Sequence, residues 1–214
     1  MDAIRNMGAG PLIEEVAAVI VDNKAYLSEI DGKIGDGDHG VNMAKGFARA
    51  AERIREAPGS LGEAMETLSD VLMGEIGGSM GPLYGMMFAD MAAALEGVKE
   101  IDARGFGRML RAGLDGVEEI GSARVGDKTL LDCLSPAVVA LEKAVDAGQS
   151  FANALEEMKI AAVIGRDSTI DLVARVGRSS RLGERSRGIL DPGATSCCMI
   201  LVSLADGVKA RLDA

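Results

Sequence analysis

The chain has 214 residues, 48% of them hydrophobic, enough to build one sizeable core in a single domain spanning residues 1–214. Its 33 acidic side chains outnumber 23 Lys and Arg for a net charge of −10, and it has no tryptophan and 3% aromatics. The first excludes the basic footprint of a general nucleic-acid binder, the second the stacking platforms that hold single strands.

Apolar residues recur at helical spacing from the start of the chain. Leu12, Val16, Val19 and Ile20 form one stripe; Leu61, Met65, Leu68, Leu72 and Met73 form another. Sustained strand-like alternation is absent. The pattern predicts eight helices over 10–28, 40–56, 61–76, 82–97, 104–120, 131–147, 150–175 and 193–212, an all-α up-and-down antiparallel bundle. No stretch reads as long and apolar enough to cross a membrane. The N-terminus lacks the basic-then-apolar order of a signal peptide. Cys133, Cys197 and Cys198 have neither metal-ligand spacing nor the even count of a disulfide framework. A cytoplasmic protein with reduced thiols is expected.

The first connection, Asp31 to Gly40, crowds Asp31, Asp36, Asp38 and the lone histidine, His39, among glycines. Three aspartates in a loop are often only solvated turn residues. These, however, abut the helix starting near Gly40, whose first N–H groups favour an anion. Carboxylates so placed repel unless a cation sits between them, and a hard cation such as Mg²⁺ takes oxygen ligands. A metal-bound phosphate, most simply of a nucleotide, satisfies both. A calcium loop of EF-hand type needs Glu at its twelfth position; counting from Asp31 gives Asn42 and from Asp36 gives Phe47, so that reading fails. His39 is expected to support the site, touching phosphate through its backbone or ring, and not to act as a nucleophile.

The second, fourth and sixth helices are followed by short, chemically plain connections. The third, fifth and seventh, like the first, are followed by glycine-rich polar ones. In an up-and-down bundle, alternate connections lie at one end, so all four rich loops should converge. Gly77-Gly-Ser79-Met80-Gly81-Pro82 lets backbone approach a ligand closely. Gly121 to Thr129 nearly spells a P-loop, but Asp127 intrudes between Gly126 and Lys128 and the segment follows a helix instead of a strand. Gly177 to Gly193 gathers Arg178, Arg181, Arg185 and Arg187 in an otherwise acidic chain. Long irregular loops in compact domains are commonly lids.

Four segments carry a family resemblance: Gly35-Asp-Gly-Asp-His-Gly40, Gly77-Gly-Ser-Met-Gly-Pro-Leu-Tyr-Gly85, Gly126-Asp-Lys-Thr-Leu-Leu-Asp132, and Gly177-Arg-Ser-Ser-Arg-Leu-Gly-Glu-Arg-Ser186 with Asp191-Pro-Gly193. Over essentially its whole length the chain resembles the nucleotide-binding L subunits of dihydroxyacetone kinases and the matching C-terminal domain of the fused ATP-dependent kinases. The resemblance implies an eight-helix barrel with ADP or ATP at one end. It implies two Mg²⁺ on Asp31, Asp36 and Asp38, with Asp36 shared. Phosphate contacts would come from His39, Gly40, Val41, Asn42, Ser79 and Met80. Gly121 and Leu130 would line the adenine pocket, and Arg178, Asp191, Pro192 and Gly193 would close over the nucleotide. The substrate would sit on a histidine of a separate sugar-binding K subunit. A phosphohistidine-carrying M subunit would rephosphorylate bound ADP, or ATP would exchange, as in ATP-dependent ketose kinases. A homodimer is compatible with it, as is nucleotide-dependent contact with a transcription regulator. Two departures stand out: Met80 replaces a second small hydroxyl residue, and Arg181 replaces a tyrosine.

Overall fold

The first expected helix folds as two helices instead of one. α1 (Pro11–Asp22) ends at Asn23, whose side chain donates to the Val19 carbonyl at 2.8 Å while its own N–H reaches the same acceptor. α2 (Lys24–Ile34) starts at the next residue and sends Leu27 and Ile30 into the core. The helix expected over 10–28 and the loop expected from Asp31 are both corrected by this break: Asp31 stands in the last turn of α2, and only Gly35–Asp38 lies between α2 and α3 (His39–Glu56).

The computed structural model describes residues 2–78 and 80–213; the Ser79 expected at the site lies outside them. After α3 come α4 (Leu61–Glu75), α5 (Met80–Ala93), α6 (Ala103–Ile120), α7 (Leu131–Asp146), α8 (Phe151–Ser168) and α9 (Pro192–Leu212). α1 packs on α3, α3 on α4, and so on in chain order to α9, which returns to α1. Eight helices therefore close a ring, and α2 lies against α3 and α9 beside it. The fold is all-α apart from two three-residue strands, β1 (Ala3–Arg5) and β2 (Glu100–Asp102), paired antiparallel with Ile4 opposite Ile101. Such strands are too short to show alternation in a sequence.

The ring encloses a continuous core that includes Phe47, Tyr84, Phe88 and Phe106. Phe47 and Phe88 meet edge-on at 6.1 Å, a favoured aromatic geometry. α9 passes through this core. An 18-residue window of this 21-residue helix has a mean hydropathy of 1.2, so one helix does reach the length and apolarity of a membrane span, contrary to expectation; 61% of that window is buried within the protein. Its composition is that of a core helix. The three cysteines are free and buried.

α8 stops at Ser168, not near 175. The apolar residues that follow, Ile170, Leu172 and Val173, extend the periodic pattern without extending the helix. Arg178–Ser186 then forms 3-10 turns broken at Gly183, where φ is +55°, so the expected irregular loop is partly helical.

Candidate functional site

The four rich connections do converge. Residues of all four line one cavity of about 300 Å³. It is bounded by Asp31, Asp36, Asp38, His39 and Asn42 on one side, by Gly77, Gly78 and Met80, by Gly121 to Ala123 and Lys128 to Leu131, and by Val176 to Ser179 with Asp191 to Gly193 closing the ring.

One carboxylate oxygen from each of Asp31, Asp36 and Asp38 lies within 4.8 Å of the others. Asp31 is buried and its Oδ2 accepts the backbone N–H of His39 at 3.1 Å, fixing the end of α2 against the start of α3. A Cβ at Gly35 would fall 2.3 Å from Asp31 Oδ1, so only glycine lets the chain turn beside that carboxylate. Gly40 has the same kind of reason: its Cβ would meet the Lys24 carbonyl at 2.1 Å, where α3 begins against α2. Arg178 reaches across the cavity mouth to pair with Asp36, and with Asp38 at 3.6 Å.

The start of α3 is not capped by a side chain. With the His39 N–H spent on Asp31 and that of Asn42 on the Asp38 carbonyl, the N–H groups of Gly40 and Val41 have no partner among the described residues. The helices that start at the opposite end of the ring differ. Ser60 and Glu63 form a reciprocal capping box on α4, Asp102 caps α6 at 2.6 Å, and Ser150 caps α8. The α3 terminus thus keeps its donors beside three carboxylates.

His39 is turned inward. Its Nε2 lies 3.0 Å from Ser196 Oγ, and Ser196 in turn lies 2.7 Å from the hydroxyl of Tyr84. The Tyr84 hydroxyl donates to the Gly193 carbonyl at 3.1 Å. Burial pushes the His39 pKa down to about 4 against the opposing pull of Asp31, so the ring is neutral near pH 7. Burial likewise drives Tyr84 upward. Neither Tyr84 nor Ser196 was singled out in the sequence: they sit 112 residues apart inside apolar helices, where nothing local marks them.

Lys128 of the near-P-loop borders the cavity but spends its ammonium elsewhere. Lys128 has a left-handed backbone, φ +63°, and is 1% exposed. Its Nζ donates to the carbonyls of Thr169, Leu172 and Ile189. The rejection of the P-loop therefore stands on geometry as well as on spacing. Asp132 holds the loop's shape, accepting the N–H groups of Gly126 at 2.5 Å and Thr129 at 2.7 Å. Asp191 caps α9 by accepting the Ala194 N–H at 2.7 Å; burial raises its pKa to about 7, opposed by that bond and by Lys128. A Cβ on Gly193 would come 3.5 Å from the Leu130 N, so the α9 start and the α7 start meet closely. Arg181 and Arg187 are both exposed, and Arg187 also bonds the Asp171 carbonyl at 2.8 Å and Glu184.

The DAK2 domain profile matches residues 33–206. The ADP-binding subunit DhaL of PEP-dependent dihydroxyacetone kinase 1 from Listeria innocua is 38% identical over 182 residues, covering 85% of this chain and 86% of the relative. Its counterpart from Escherichia coli K12, the ADP-binding subunit DhaL of PEP-dependent dihydroxyacetone kinase, is 38% identical over 185 residues, covering 86% and 88%. Among solved structures, native dihydroxyacetone kinase of C. freundii superposes with a TM-score of 0.71 at 25% identity over 92% of this chain; this chain spans about a third (34%) of that one. With a match that runs through every wall of the cavity, the chain belongs to the DAK2 domain family.

Proposed function

We propose that residues 1–214 form a single domain that binds ADP or ATP with two Mg²⁺ and serves as the nucleotide subunit of a dihydroxyacetone-type, short-chain ketose kinase. The observation that carries this reading is the unpartnered start of α3 beside three clustered carboxylates. An anion and a cation are both called for within one small cavity, and a metal-bound nucleotide phosphate supplies both. The relatives named as ADP-binding subunits support the choice of nucleotide.

Asp31, Asp36 and Asp38 fit Mg²⁺: all are hard oxygen donors, and their oxygens are close enough to share ions. When bound, the ions neutralise the charge that a transferring phosphoryl group spreads over its oxygens. The chain's own groups do the rest. Gly40 and Val41 N–H groups, Asn42, Ser79 and the Met80 backbone meet phosphate on this reading. Gly121, Leu130 and Gly193 frame a narrow slot for the base. Arg178 turns from Asp36 and Asp38 toward phosphate when cations take its place, and Asp191-Pro192-Gly193 supports the segment that covers the nucleotide. His39 fixes the α3 start through Asp31 and Ser196 and carries no phosphoryl group itself. Catalysis on this account is positioning and charge neutralisation.

The sugar is held by a separate K subunit, docked over Arg178 and the exposed Arg181. A phosphohistidine-carrying M subunit rephosphorylates ADP that stays bound. The setting is cytoplasmic. Reconstitution tests this. With sugar-binding subunit, dihydroxyacetone and a phosphohistidine donor, ADP substoichiometric to product should sustain many turnovers. Turnover from free ATP but not from the phosphohistidine protein would assign the chain to an ATP-dependent ketose kinase instead.

A further inference from the structure

The residues between α8 and α9 form a loop with a tied neck. The Gly188 N–H donates to the Ile170 carbonyl at 2.7 Å, and Arg187 Nη1 donates to the Asp171 carbonyl. The Asp191 N–H donates to Thr169 Oγ1, and the Ala174 N–H donates to Ser186 Oγ at 2.9 Å. Lys128 enters this neck from a different part of the chain. Its ammonium bonds Thr169 and Leu172 on the outgoing side and Ile189 on the returning side. The residues that follow it, Thr129, Leu130 and Leu131, line the cavity. Burying an ammonium is costly unless its donors are used, and here three carbonyls use them. The left-handed backbone at a non-glycine residue adds a further cost.

We infer that Lys128 is a positioning residue for nucleotide binding: it locks the neck of the 170–190 loop to the cavity wall at Thr129–Leu131, so that Arg178 is carried on a short tip instead of a free loop. The inference rests on the reading of that loop as a cover over Mg·ADP. Of this loop's positive-φ glycines, Gly177 at +72° and Gly183 at +55° stand on the tip, and Gly188 at +87° is held in the neck by its bond to Ile170. With Ala174 bonded to Ser186, movement is confined to about 176–185, and closure of the tip is set against the wall of the cavity proposed to hold the nucleotide.

Limited trypsin digestion of the full chain, read at Arg178 and Arg181, tests this with Mg·ADP as the probe. In the wild type, saturating Mg·ADP slows cleavage; if it does not, the cover reading fails, and this inference with it. In Lys128→Met the tip is cleaved at saturating Mg·ADP as fast as without it, and the Kd for Mg·ADP rises about tenfold, as loss of charged hydrogen bonds would give. Lys128→Arg, which keeps a cation with several donors, restores the protection. A purely structural lysine would lower the melting temperature yet leave saturated protein protected; that result overturns the inference. Should Lys128→Met not fold, amide exchange in the wild type decides. The Ala174 and Gly188 amides should be equally slow with and without Mg·ADP, while those of 178–183 slow only with it. Neck amides that exchange as fast as the tip would overturn the inference.

Discussion

The two ends of the helical ring treat their polar groups in opposite ways. At the end where α4, α6 and α8 begin, Ser60, Asp102 and Ser150 accept the first backbone N–H groups, and Asn6 ties the loops by bonding Leu61 and Val98. These polar side chains complete helices or turns. At the end where α3 begins, two N–H groups stay open, three carboxylates face one another, and a lysine and an aspartate are buried. Asp191 caps α9 at this end too, but the open donors and clustered carboxylates are what the proposed nucleotide site would use.

Ligand binding should sharpen this contrast most. A ligand that binds only the folded state stabilises it by RT ln(1 + [L]/Kd), about 4 kcal/mol at a thousandfold excess over Kd. Thermal melts with Mg·ADP should rise accordingly, and a chelator should reverse the gain by leaving the three aspartates to repel one another. A melting temperature indifferent to both would remove the distinction between the ends.

Asp191 offers a second way to break the comparison. Its pKa is about 7 in the fold against 3.8 when unperturbed, so between those values the folded chain holds a proton that the unfolded chain has released. The wild type should therefore lose stability relative to Asp191→Asn as pH rises from about 4 to 7, by on the order of 3 kcal/mol, and the difference should level off above pH 7. Asn keeps the cap on α9 while removing the charge. His39, whose folded pKa is depressed to about 4, contributes the opposite slope; present in both proteins, it cancels in the difference. Urea melts across this range check the sign.

The smallest effect belongs to the ordinary end. Ser60→Ala removes half of a capping box and should cost about 1 kcal/mol. Its Kd for Mg·ADP should equal that of the wild type. A shift in ADP binding from this position would mean that the two ends are coupled.

Much of this division was legible in the chain. The helical stripes located the ring, the alternation of plain and glycine-rich connections put Asp31, Met80, Gly121 and Arg178 around one cavity, and the family resemblance added Leu130. What the stripes hid were breaks that leave the apolar period intact. Leu27 continues the pattern of α1 although Asn23 ends that helix, and Leu172 continues that of α8 although Ser168 ends it. Tyr84, Ser196 and the inward path of Lys128 were illegible for another reason. Their partners are carbonyls or hydroxyls brought near only by the closed ring; Lys128 reaches 61 residues ahead to Ile189. Hydrogen bonds of that span leave no local spacing to read.

Calorimetric titration of ADP into the wild type and Asp36→Asn, each with and without Mg²⁺, bears most directly on the site. Asp36 is half-exposed, so the exchange for Asn leaves packing unchanged. The wild type should bind ADP tightly only with Mg²⁺, and Asp36→Asn should lose about a hundredfold or more of that affinity, in line with removal of one preorganised charge from such a site, with its helical content unchanged. Tight binding that ignores Mg²⁺, or that survives intact in Asp36→Asn, would contradict the assignment of the three carboxylates.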